Sequence, residues 1–109
     1  MENKRFIRAV LDKNAIIQEF QCTLNSDCYD SKDVVGKNWF DIFIGPSDHE
    51  KVMNVFKSLF EKDEKKWETY ANDIKNKNGA HILIDFKNSI EIRDGQKYIV
   101  SVGTEHYLS

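Results

Sequence analysis

The stretch His81 to Ile92 alternates in side-chain character along its whole length, and few folds can accommodate it. Ile82, Ile84, Phe86, Ile90 and Ile92 share one parity and are expected to face a core. His81, Asp85, Lys87, Glu91 and Arg93 share the other parity and are expected to face out, with Leu83 as the apolar exception. The stretch is bounded by Asn76-Lys77-Asn78-Gly79 and by Asp94-Gly95, turn sequences that reverse a strand onto its neighbour. Trp67 to Lys75 before it and Lys97 to Gly103 after it are therefore expected strands. Strands joined by such short turns pair antiparallel.

The first half of the chain must supply the cover for that sheet. Phe6 to Asp12 reads as a strand, and Asp12-Lys13-Asn14-Ala15 as a turn. Ile16 to Phe20 is then the returning strand. Residues 21–38 carry cap and turn residues and predict short helical turns, one of them Ser31 to Val35, ended by Gly36. Trp39 and Phe43 are four apart, as are Phe40 and Ile44, so a short helix would stack them in pairs. Gly45-Pro46 breaks this segment. Ser47 and Glu50 then have the spacing of a capping box, with Asp48 adding charge suited to a helix start. Val52, Val55, Phe56, Leu59 and Phe60 form one apolar stripe, so the helix is expected to run to about Glu61. The charge run from Glu61 to Lys66 reads as a solvated loop. The fold class expected is α+β: a single antiparallel sheet of five strands, covered on one face by short helices and one longer helix, with a pocket between helix and sheet.

Composition narrows the function. A chain of 109 residues is one domain and can bury a real core. Sixteen Lys and Arg nearly balance eighteen Asp and Glu, so charge gives no support to a nucleic-acid or membrane-surface role. The apolar runs are far too short to span a bilayer, and the N-terminus leads into no apolar leader segment. Cys22 and Cys28 have polar sequence neighbours and no clustered Lys or His to lower a thiol pKa. They are expected to be reduced thiols of a cytosolic protein rather than a redox pair.

In order and spacing these segments resemble a PAS domain. Val35 to Ile44 is similar to the segment that ends the short-helix region of many bacterial PAS sensors. Asp48 to Phe60 sits where that family has its long helix. Asn72-Asp73-Ile74 with Lys77-Asn78-Gly79 resembles the family's turn between its third and fourth strands. Tyr98 to Gly103, followed by Thr104-Glu105, resembles the last strand running into an exit linker. The resemblance covers about Phe6 to Tyr107. Three positions depart from the pattern. Ala15 stands where the first turn often has Gly, and a left-handed Ala costs about 1–2 kcal/mol, so a different turn geometry is expected. Glu105 and Tyr107 stand at the positions of the family's terminal Asp-x-Thr triplet.

What the resemblance implies is one sensory PAS domain over residues 1–109, excised from a longer signalling protein. Such a module binds a small ligand or relays a conformational signal to an attached effector: a histidine kinase, a diguanylate cyclase or a chemotaxis-type receptor. The alternative is a ligand-free dimerisation module, for which Leu83 and the Phe6-Ile7 edge offer apolar surface. The expected location is the cytoplasm, with no direct membrane contact and no nucleic-acid partner.

No cofactor is assigned. Cys28 lies in Ser-Asp-Cys-Tyr-Asp, unlike the Asn-Cys-Arg stretch of flavin-binding relatives. His49 falls in the first turn of the long helix and reads as a solvated residue rather than a haem ligand. His81 and Asp85 share a strand face about 13 Å apart, too far for a direct hydrogen bond. With no catalytic constellation or metal-ligand spacing, the domain is not expected to be an enzyme. The expected ligand-binding residues are Phe40, Phe43, Val55, Phe56, Leu59, Ile74, Ile84, Phe86 and Ser101, with Val100 and Val102 beside them and Asn72 and Asn88 as further polar candidates.

Overall fold

The computed structural model describes residues 5–24, 28–61 and 68–105, with the backbone alone for Glu68, Thr69, Tyr70 and Asn72. The expected charged loop at 62–66, Trp67 and Tyr107 lie outside the described residues. In chain order the elements are β1 (Ile7–Leu11), β2 (Ile17–Cys22), α1 (Ser31–Val34), α2 (Trp39–Phe43), a 3₁₀ turn (Pro46–Asp48), α3 (His49–Glu61), β3 (Glu68–Lys75), β4 (His81–Arg93) and β5 (Gln96–Glu105).

The five strands form one sheet in the order β2-β1-β5-β4-β3, with every pairing antiparallel. The chain termini of the sheet meet in its centre, where β1 lies against β5. The turn between β4 and β5 has positive φ at both Asp94 and Gly95, the type I′ geometry that matches strand twist. Ile7, Ala9 and Leu11 on β1 face inward with Ile84, Phe86 and Ile90 on β4. The helices cover this face. Aromatic rings tie the two layers together: Trp39 stacks on Phe43 at 4.3 Å, and its edge meets Phe86 across the interface at 6.1 Å.

Ala15 departs from the expectation. It adopts the left-handed conformation at φ 62°. Asp12 holds it there: its carboxylate accepts from the Asn14 and Ile16 amides, both at 2.9 Å, and its carbonyl accepts from the Ala15 amide. The Ala15 methyl is buried and its carbonyl accepts from the Trp39 amide. The surroundings thus impose a conformation that the residue itself disfavours.

The start of α3 also differs from the expectation. No side-chain bond joins Ser47 to Glu50 among the described residues. Gly45 precedes a 3₁₀ turn instead, with Pro46 in its first turn, and α3 begins at His49. His49 is half-buried rather than solvated. Its Nε2 lies 3.1 Å from the Phe40 carbonyl and 3.0 Å from the Ile44 carbonyl, so that nitrogen is a donor clamping the end of α2 to the start of α3.

The cysteines are a further correction. Cys22 at the end of β2 and Cys28 form a disulfide, with Cα atoms 5.9 Å apart. The polar sequence neighbours were misleading. Both residues pack partly buried against the core, and the chain returns on itself within six residues.

The outer sheet face is covered by charge. Val10 is fully buried there, although among the described residues no helix lies over it. Glu19 on β2 pairs with Arg8 and reaches Arg93 on β4, so the pair spans the two strands β1 and β5 that lie between. Arg93 also grips Glu91 and lies 5.8 Å from the Tyr98 ring centroid. Leu83 stays 39% exposed on this face, as its parity requires. Ile92 was expected in the core but is 51% exposed. It has inward parity but sits one rung from the end of the β4–β5 ladder, where it pairs with Lys97.

Candidate functional site: an apolar cavity with a buried amide

A cavity of about 40 Å³ lies between α3 and the sheet. The helix contributes Val52, Val55, Phe56 and Leu59, three and four residues apart, so one stripe forms one wall. Trp39 and Phe40 on α2 close an end. The opposite wall is the sheet, with Leu11, Phe86, Asn88, Ile99 and Ser101.

Asn88 and Ser101 are the polar members of this lining. They face each other across the β4–β5 ladder, and the Ser101 hydroxyl donates to the Asn88 Oδ1 at 2.6 Å. Asn88 is 7% exposed and Ser101 8%. A buried pair of this kind costs desolvation unless its hydrogen bonds are made.

Six of the expected binding residues line this cavity: Phe40, Val55, Phe56, Leu59, Phe86 and Ser101, joined by Asn88. Phe43 and Ile74 do not. They border a separate cavity of about 10 Å³ beside the Cys22–Cys28 disulfide. Ile84 is fully buried and lines neither. The side chain of Asn72 lies outside what the structure describes.

Val100 and Val102 face away from the cavity, contrary to expectation. Their apolar parity on β5 suggests the core, but Gly103 decides the matter. A Cβ at Gly103 would stand 2.4 Å from the Ile84 Cγ2 and 2.9 Å from the Phe86 ring, so only glycine fits against the inner face there. Gly103 being inward puts Ser101 and Ile99 inward as well, and turns Val100 and Val102 out. Leu11, Trp39, Val52 and Ile99 were not singled out as site residues. Trp39 and Val52 belong to patterns visible in the sequence, whereas Ile99 follows only from the parity of Gly103.

Among the described residues no cluster of three or more His, Cys, Asp and Glu could hold a metal ion. Among them, too, no helix is long and apolar enough to cross a membrane.

This architecture is that of solved PAS domains. The PAS domain of the RpfR quorum-sensing receptor from Cronobacter turicensis, solved in complex with BDSF and with C12:0, superposes with a TM-score of 0.77 at 18% identity, covering 98% of this chain and 99% of that one. The PAS domain of an HTR-like protein from Haloarcula marismortui gives 0.75 at 15% identity, over 96% and 84% of the two chains. Cycle PAS-B of Drosophila melanogaster, with bound ethylene glycol, gives 0.74 at 10% identity, over 92% and 99%. No protein-family model and no curated relative matches the chain by sequence. The chain has the PAS fold.

Proposed function

We propose that this chain is a sensory PAS module that takes a small ligand into the cavity between α3 and the sheet. The observation that carries this is the buried Asn88–Ser101 pair set into an otherwise apolar lining. A core that only needed filling would have no use for an amide there. The bound molecules of the RpfR and Cycle structures give the reading a precedent in the same fold. Ligand entry would press on α3 and β5, and β5 is the strand that leads out of the domain. An attached effector, such as a histidine kinase, a diguanylate cyclase or a chemotaxis-type receptor, would receive the change there.

The setting is expected to be cytoplasmic, and the disulfide qualifies this. In a reducing compartment such a bond is transient or redox-sensing, so a cytoplasmic protein would carry Cys22 and Cys28 as thiols for part of its life. A second reading, homodimerisation, draws on Leu83, which is 39% exposed on an outer sheet face that no helix covers among the described residues.

Mass spectrometry of the purified protein, followed by thermal-shift screening of small metabolites, tests the ligand reading. A co-purifying molecule or a saturable shift supports it. A protein that carries nothing and responds to nothing leaves the dimerisation reading, which sedimentation of the wild type and of Leu83→Lys then examines.

A further inference from the structure

We propose that the cavity selects an uncharged molecule with an apolar body and one hydroxyl or carbonyl group, held by the side-chain amide of Asn88. This deepens the ligand-binding reading above and rests on it.

The argument begins with an unspent donor. Ser101 donates to Asn88 Oδ1, which fixes the amide's orientation and turns Nδ2 away from Ser101. Among the described residues that Nδ2 has no partner, although Asn88 is more than nine-tenths buried and lines the cavity. An unmade hydrogen bond at such a depth costs about 1–3 kcal/mol, so an acceptor belongs there. The same geometry leaves lone pairs on the Ser101 oxygen, whose proton is already given to Asn88. One hydroxyl could accept from Asn88 and donate to Ser101. A carbonyl oxygen could accept from Asn88 alone.

The charge of the ligand follows from what the lining lacks. Among the described residues, every side chain around the cavity is apolar except Asn88 and Ser101, and none carries a charge. A carboxylate or ammonium taken inside would be desolvated with no counter-charge, a cost that one amide cannot offset. The size follows from the volume. About 40 Å³ is room for only a few water-sized spheres, so a ligand with a six-carbon body is taken in as α3 shifts outward from the sheet.

Matched six-carbon probes test this at pH 7.5, where an alkyl carboxylic acid is ionised: hexan-1-ol, hexan-2-one and hexanoate. Titration of the wild type followed by amide NMR is expected to show the alcohol and the ketone binding at least tenfold more tightly than hexanoate. The Asn88 side-chain NH₂ signals should shift with the two neutral probes. Asn88→Leu should weaken the alcohol at least fivefold while keeping the spectrum of a folded protein. If Asn88→Leu does not fold, the wild-type NH₂ signals and the probe ranking still decide. Hexanoate binding as tightly as hexanol, or neutral probes that bind without moving the NH₂ signals, overturns the proposed class and leaves the cavity as a ligand site. No binding of any probe overturns this proposal, and the ligand reading itself falls only if metabolite screening is also blank.

Discussion

Ala15 and Gly103 show how single residues carry this fold. Ala15 keeps a left-handed backbone because Asp12 fastens the turn and the core receives its methyl. Glycine there would relieve about 1–2 kcal/mol of backbone strain. It would also lose a buried methyl worth about 0.8 kcal/mol and gain unfolded-state freedom worth about 0.4–1 kcal/mol. Ala15→Gly is therefore expected to change stability by less than about 1 kcal/mol in urea unfolding. Ala15→Val should cost more than about 2 kcal/mol, because a β-branched residue tolerates that conformation poorly. Gly103→Ala is expected to destabilise by about 1–3 kcal/mol, since Ile84 and Phe86 must move aside. Neither constraint was legible from the sequence. The Ala15 conformation depends on the Asp12 carboxylate accepting from two amides, and Gly103 looks like an ordinary strand end until its neighbours across the ladder are known. The missed parity of Val100 and Val102 comes from the same source.

At the scale of elements, periodicity was the reliable signal. The stripe of α3 and the alternation of β4 are set by helix and strand geometry, so Val55, Phe56, Leu59 and Phe86 fall on the cavity as expected. Contacts between elements were less legible. The Cys22–Cys28 disulfide arises because β2 and the segment before α1 return to the same place, which no local pattern states. Closing so short a loop is worth about 2 kcal/mol on chain-entropy grounds. The double variant Cys22→Ser/Cys28→Ser is expected to lose about that much in denaturant unfolding, and a dithiol reductant should have a similar effect on the wild type. The charged cover of the outer face makes a different prediction. Hydrogen bonds from Arg93 and then Arg8 hold the Glu19 carboxyl below its usual value of 4.5. A lowered folded pKa means that the contribution is complete above the unfolded value. It is lost as pH falls below about 4.5 and through the depressed folded value. Glu19→Gln should therefore flatten the acid limb of the stability curve. The effect should be small and should weaken in salt, because these groups are solvent-screened.

At the scale of the whole molecule, a near-neutral chain folds into a sheet whose inner face is not quite filled. The fold class was legible because both halves of the pattern agreed: strands joined by tight turns, and one amphipathic helix able to cover a single face. A pocket between helix and sheet was expected, but which residues line it was less legible, because a residue that lines a void and one that fills it have the same character in a sequence. What distinguishes them here is the Asn88–Ser101 pair, placed by the register of β4 on β5. The central claim is that ligands enter between α3 and the sheet. The most direct measurement is a backbone amide NMR titration with a compound identified by thermal-shift screening. The account expects the largest perturbations at Phe56, Leu59, Phe86, Asn88 and Ser101. Perturbations gathered instead around Leu83 and Val100 on the outer face would contradict it.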